Sequence, residues 1–196
     1  ILAEYQKKKI AAFWTQVKGL TNNYFGYDNL GAASDRPYGG TGSSYADPSL
    51  TSFMGTLTYT LLDRYTLNLT TRADGSSMVG KDHTWGIFPS ISATWDMKKE
   101  SFLRNNKNIS LLNFRTGYGR SGNLGGISSY LTLRQYIPVG LISYNGTPTV
   151  TMGTLRNSNP DLRWETRSTF NIGTDLGLFN NRLLLTAEYY YSKTTD

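Results

Sequence analysis

Tyr65, Leu67 and Leu69 alternate with Thr66, Asn68, Thr70 and Arg72. A period of two over this length is that of a two-faced strand, with one apolar and one polar side. The pattern recurs. Phe53, Leu57, Tyr59 and Leu61 alternate with Met54, Thr56, Thr58 and Thr60, and Leu62-Asp63-Arg64 leaves only a tight hairpin turn before Tyr65. Ile87, Ile91, Ala93 and Trp95 oppose Ser90, Ser92 and Thr94. A further strand runs from about Ile109 to Gly119, with Leu112, Phe114, Thr116 and Tyr118 opposing Asn113, Arg115, Gly117 and Gly119. From Trp164 to Leu178, Phe170, Ile172, Thr174 and Leu176 oppose Arg167, Thr169, Asn171 and Asp175. After the turn at Phe179-Asn180-Asn181-Arg182, Leu183, Leu185, Ala187, Tyr189 and Tyr191 oppose Thr186, Glu188 and Tyr190. The chain is therefore all-β, with successive strands antiparallel.

The segments between these strands are sorted by length. Residues 17–50 and 120–162 are long and rich in Gly, Pro and Asn, and 73–84 is a Gly/Ser/Asp-rich reversal of middling length. Residues 62–64 and 179–182 are short, and 97–108 reads as a charged connection with one helical turn. Within 120–162, Tyr130 to Tyr136 is a candidate for local pairing. In an antiparallel sheet this rhythm puts long connections mostly at one end and short ones at the other, as in outer-membrane barrels. Aromatics stand toward both ends of the apolar faces. Tyr59, Tyr65 and Trp95 lie toward the short turns, and Tyr118, Tyr189 and Tyr191 toward the long loops. Tyr and Trp favour a membrane–water boundary. A soluble β-sandwich acting as a carbohydrate-binding module has the same alternation, with its apolar faces packed together. Residues 1–20 read either as strand or as a short helix around Ile10–Trp14.

The 196 residues suffice for one domain of ordinary size. There is no cysteine, hence no disulfide or thiolate metal site. The net charge is +6, but the basic residues are scattered, which argues against a nucleic-acid partner. No apolar run is long enough for a membrane helix, a test that a strand-built barrel also fails. The chain opens on Ile1 without a signal-peptide pattern, as expected of a mature protein or of a piece of a longer one.

Catalytic and cofactor motifs are weak. Gly117-x-Gly119-x-x-Gly122 is followed by a poor helix sequence and reads as a strand entering a loop, not a dinucleotide site. His83 has no metal or triad partner in the sequence, Asp74 and Asp82 fit turn chemistry better than calcium, and Asp161 with Glu165 reads as local hydrogen bonding at a strand start. No enzyme activity and no cofactor are expected.

Longer motifs carry a family resemblance. They are Arg72-x-Asp74-Gly75-Ser76-Ser77; Gly80; Trp85-Gly86-x-Phe88-Pro89-Ser90-x-Ser92-Ala93-x-Trp95; and Glu100-x-Phe102-Leu103. After them come Phe114-Arg115-x-x-Tyr118-Gly119-x-x-Gly122-Asn123, Asn159-Pro160-Asp161-Leu162-x-Trp164-Glu165, and Asn181-Arg182-Leu183 through Tyr191, with Tyr27-Asp28-Asn29-Leu30-Gly31 upstream. Together these resemble the SusC/RagA-type TonB-dependent outer-membrane transporters over most of residues 20–196. The resemblance implies an antiparallel transmembrane β-barrel segment, about seven strands of a barrel of roughly 22. Residues 1–196 would be the later part of that barrel, without its plug and TonB-contact segment.

It further implies nutrient import across a bacterial outer membrane, of oligosaccharides or peptides, energised by TonB. The implied partners are a SusD-like surface lipoprotein, outer-membrane lipid, and the remaining barrel and plug. On this reading Asn68, Thr70, Arg72, Arg115 and Glu188 are expected to line the lumen. Tyr27, Tyr38, Asn123 and Tyr130 are expected in the outer loops around the substrate, because rings stack on sugar faces and amides bond hydroxyls.

Overall fold

The computed structural model of the chain describes residues 1–22, 24, 26–37 and 40–195. In chain order the strands are β1 (Leu2–Lys7), β2 (Ile10–Thr15), β3 (Lys18–Leu20), β4 (Ala33–Asp35), β5 (Thr41–Ala46), β6 (Ser49–Leu61), β7 (Tyr65–Ser76), β8 (Trp85–Asp96), β9 (Ile109–Asn123), β10 (Gln135–Tyr144), β11 (Thr147–Arg156), β12 (Glu165–Leu178) and β13 (Leu183–Thr195). Short 3-10 turns occupy Gly26–Ala32, Lys81–His83 and Met97–Lys99. One seven-stranded sheet, in the order β1-β6-β7-β8-β9-β12-β13, is antiparallel at every step. The connections within this sheet sort mostly as the sequence predicts. The two longest, 8–48 and 124–164, leave β1 and β9 at one end and the shortest, 62–64 and 179–182, lie at the other; the middle pair breaks the rule, because 77–84 at the long end has fewer residues than 97–108 at the short end.

One open reading is decided and three local readings are corrected. Residues 1–20 are strand rather than helix: β1 joins the large sheet and β2 pairs with β5. The first long region is likewise built of short pairs, β2-β5 and β3-β4. Asp74, Gly75 and Ser76 belong to β7 instead of the reversal, which begins at Ser77. Asp74 stays in the ladder because its carboxylate takes hydrogen bonds from Arg72, two residues back on the same face. Gly75 suits a strand here because the Trp85 ring lies 3.0 Å from where its Cβ would stand. In the second long region the pairing is β10 with β11, closed at Asn145-Gly146, while Tyr130 stands before it in a left-handed conformation. Asn-Gly with positive φ at both residues is the expected chemistry of a two-residue hairpin turn.

Register fixes which side chains share a face. One outward row runs Leu57, Leu69, Ile91, Tyr118, Phe170, Tyr191. The next runs Tyr59, Leu67, Ala93, Thr116, Ile172, Tyr189, and a third Leu61, Tyr65, Trp95, Phe114, Thr174, Ala187. Among the described residues nothing packs over this face. Leu67, Leu69, Ile91 and Leu185 are 36%, 39%, 46% and 50% exposed, while Thr66, Asn68 and Thr70 on the opposite face are the more shielded. That is the inverse of a soluble sandwich, whose apolar faces would be covered.

The apolar band is oblique to the strands. It spans Phe53 to Leu61 in β6 and Leu183 to Tyr191 in β13, yet Leu61 shares a row with Ala187 and Leu57 with Tyr191. Both edges of the band thus slip by four residues across five strand-to-strand steps. That is about 13 Å along for about 24 Å across, a tilt of about 30°. Tyr59 and Tyr189 therefore share a row but stand near opposite edges of the band, as the sequence predicts.

Candidate functional site

The five predicted lumen residues all lie on the polar face. Asn68 shares a row with Thr58, Ser92, Gly117, Asn171 and Tyr190, and Thr70 with Thr56, Ser90, Gly119, Thr169 and Ser192. Hydroxyls and amides bond across this face, as Thr58 Oγ1 does to Asn68 Oδ1 at 2.7 Å. Arg72 is held by Asp74 at 2.7 and 2.9 Å through Nε, and its Nη2 donates to Ser52 Oγ at 3.0 Å. Ser52 and Asp74 are buried. Arg115 and Glu188 flank Gly173 in one row, and Arg115 donates to Asp175 at 2.8 and 3.2 Å. Asp175 also accepts from Thr186 Oγ1 at 3.0 Å. Arg115 is thus fixed by a two-N–H fork on one carboxylate, and Arg72 by one N–H shared between the Asp74 oxygens with a second donor on Ser52, which orients both more firmly than a lone charge would be. Next to them, the buried atoms Asp96 Oδ1 and Asn113 Oδ1 have no hydrogen-bond partner among the described residues.

At the long-connection end of this face sits the small apolar core, Val79, Phe88 and Trp164, with Leu50, Leu124 and Ile127 against it. Phe88 meets Trp164 edge-on at 5.5 Å. Gly86 and Gly122 are glycine for a packing reason: a Cβ at either would overlap the Phe88 ring. Gly80 N donates to Leu162 O at 2.7 Å, Trp164 Nε1 donates to Thr84 O at 3.3 Å, and a Cβ on Gly80 would overlap the Pro160 carbonyl oxygen. The segments 77–84 and 157–164 are therefore latched together. Beside the latch lies a groove of about 490 Å³, lined by Thr70, Arg72, Asp74, Ser90, Asn123 and Trp164 among others. Sequence reasoning counts the Phe88 side of β8 as polar and so misses this core; its signal is the glycine placed at Gly86 and Gly122, opposite an aromatic.

The loop candidates do not form one cluster. Asn123 Nδ2 donates to Glu165 Oε2 at 3.1 Å at the groove edge, and Tyr130 OH reaches Asp47 Oδ1 at 3.5 Å, tying the two long regions together. Tyr130 lines a separate groove of about 580 Å³ with Tyr45 and Gln135. Tyr27 lies in the Gly26–Ala32 turn, is 85% exposed, and lines neither groove. Tyr38 lies outside the described residues. Asp161 has no part in the Asn123–Glu165 contact, so in place of the local hydrogen bonding expected of Asp161 with Glu165 there is an amide–carboxylate bridge between β9 and β12.

The short-turn end is braced by Glu100. Its carboxylate accepts from Tyr65 OH at 2.6 Å, Trp95 Nε1 at 3.0 Å and Arg64 Nη1 at 2.6 Å. The hydrogen bonds from Tyr65 and Trp95, and then the Arg64 charge, hold the Glu100 carboxyl below its usual range against the opposing effect of burial.

A tilted antiparallel sheet with an uncovered apolar outer wall, a charged inner face and length-sorted connections is a segment of a β-barrel wall. The chain belongs to the TonB-dependent receptor-like β-barrel family, whose model matches residues 5–196. It is 34% identical over 194 residues to TonB-dependent receptor P26 of Formosa agariphila, covering 99% of this chain and 19% of that protein. It is 37% identical over 157 residues to TonB-dependent receptor SusC of Bacteroides thetaiotaomicron, covering 76% of this chain and 15% of that protein. The solved RagAB peptide transporter superposes with a TM-score of 0.79 at 23% identity, covering 98% of this chain and 21% of that one. The chain thus spans about a fifth of the length of such relatives.

Proposed function

We propose that residues 1–196 are part of the barrel of an outer-membrane active transporter that imports nutrient oligosaccharides or peptides. The observation that carries this is the outward apolar band. Phe53 to Leu61, or Leu183 to Tyr191, is about 27 Å of strand, and at the tilt found it stands about 24 Å tall. Barrels of outer membranes carry an apolar band of about 25 Å, edged by aromatics. The kinship with SusC, and the likeness to a peptide transporter, support the class of cargo. On this reading Asn68, Thr70, Arg72, Arg115 and Glu188 face a watery lumen closed by a plug elsewhere in the protein. Asn123 and Tyr130, with Tyr27 and Tyr38, belong to the outer loops that meet substrate. A SusD-like surface lipoprotein closes the outer mouth, and TonB supplies the energy through the plug.

The test is uptake in cells carrying the full-length protein, with labelled oligosaccharides and labelled peptides offered separately. Accumulation of one class is expected to vanish on deletion of the gene and equally on loss of TonB. Accumulation that persists without TonB would overturn active transport.

A further inference from the structure

The groove beside Tyr130 is closed by both long regions. Ser44 and Tyr45 come from β5, Ser128 and Tyr130 from the segment after β9, and Gln135 from the start of β10. Met78 and Ile127 line it too, and Ile127 packs against the Val79–Phe88–Trp164 core. The groove therefore adjoins that core, at the long-connection end of the polar face. Its volume of about 580 Å³ lies within the span of about 300–1,000 Å³ usual for ligand pockets.

Its charge is unbalanced. Lys8 lines the groove and, among the described residues, no acidic side chain does. The backbone N of Lys8 donates to Pro48 O at 3.0 Å, which fixes this exposed residue where β1 passes into β2. Asp47, next to Pro48, is already committed. One of its carboxylate oxygens meets Lys7 Nζ at 3.3 Å, and the other accepts from Tyr130 OH at 3.5 Å. The Lys8 ammonium has no ion pair or hydrogen bond among the described residues. The lining thus combines one uncompensated cation, two phenol rings, and neutral donors and acceptors on Ser44, Ser128 and Gln135.

Each part suits a feature of one ligand class. Phenol rings lie against the C–H faces of sugars, and hydroxyls and amides exchange hydrogen bonds with sugar hydroxyls. A lone ammonium meets an anion in a charge-assisted hydrogen bond. A zwitterionic peptide brings an ammonium as well as a carboxylate, and the groove offers that ammonium no carboxylate. We propose that this groove binds an acidic sugar unit of the cargo, a uronate whose carboxylate meets Lys8 and whose ring lies on Tyr45 and Tyr130. The proposal rests on the importer reading and narrows its cargo to acidic oligosaccharides.

The test uses purified full-length protein in detergent and two probes. One is a mixture of uronate oligosaccharides cut from pectin and alginate; the other is the same mixture with its carboxyls reduced to alcohols. Wild type is expected to retain the acidic mixture in preference. Lys8→Gln is expected to bind the acidic mixture about fivefold more weakly and the reduced one unchanged, the scale of one solvent-exposed ion pair. Tyr45→Ala is expected to bind both about fivefold more weakly, the loss of one stacked ring. Equal binding of the two mixtures by wild type, binding of neither, or an unchanged acid preference in Lys8→Gln would overturn the site. So would retention of a casein peptide digest in place of both. Uptake in cells separates the two readings. TonB-dependent uptake of neutral sugars or peptides alone would sink this proposal and leave the importer standing, whereas TonB-dependent uptake of no cargo would sink both.

Discussion

Glu100 joins the short connection 97–108 to β7 and β8 through one carboxylate that serves three donors. Because its folded pKa lies below the 4.5 of the free side chain, its contribution is fully present above that value and is lost as pH falls through the lowered one. Glu100→Gln removes the charge but keeps the shape. The variant is therefore expected to melt below wild type at neutral pH, and the gap to close as the medium is acidified past the carboxylate range. Heat-modifiability on gels, run over a pH series, reads both curves; a gap that does not change with pH would show that the charge contributes nothing. Arg72 and Asp74 teach a related lesson at the same scale. Asp-Gly in a sequence signals a turn, and here the signal loses to a forked ion pair and a β-ladder. No local pattern reveals Ser52, the third member of that group, because it arrives from a neighbouring strand.

Hairpins set the spacing of the wall, and their turns differ in quality. Asn145-Gly146 closes β10-β11 with the residues such a turn prefers. Leu62-Asp63 closes β6-β7 with φ of 52° and 57°, in a region a leucine occupies only at a cost. Replacing the pair by Asn-Gly is expected to stabilise the hairpin by about 1 kcal/mol, a gain typical of relieved left-handed strain. The midpoint of urea unfolding in detergent checks this, and an unchanged or lower midpoint would mean that Leu62 makes a compensating contact. The strands of the wall were legible in the sequence because one face meets an apolar medium and the other a polar one, which writes a period of two. The β10-β11 hairpin was not. Leu141 and Val150 oppose each other on one side while Ile142 and Tyr144 lie on the other, so both faces are apolar and the period disappears. The Phe88–Trp164 core was hidden for a different reason: its members lie 76 positions apart and meet only after the sheet has formed.

The molecule as a whole inverts the usual relation between polarity and exposure. Leu67 and Leu69 are more exposed than Asn68 and Thr70, and in water this arrangement would leave a broad apolar surface bare. The inversion costs nothing if acyl chains cover the outer wall and water reaches only the inner one. That condition can be tested one residue at a time, because residues 1–196 contain no cysteine. Single cysteines placed at 66 through 70 in the full-length protein, freed of cysteines elsewhere, should react with a membrane-impermeant maleimide in a period of two. Asn68→Cys and Thr70→Cys should label from the aqueous side. Leu67→Cys and Leu69→Cys should stay unlabelled in lipid and become reactive when the protein is moved into urea. Labelling of the odd positions in intact membranes would mean that water, not lipid, wets this face, and the sheet would then need a protein partner over its apolar side. Labelling that followed no alternation would mean that the register found between β6, β7 and β8 does not hold in the membrane. The period-two result is the one the register, the tilt and the height of the apolar band all require.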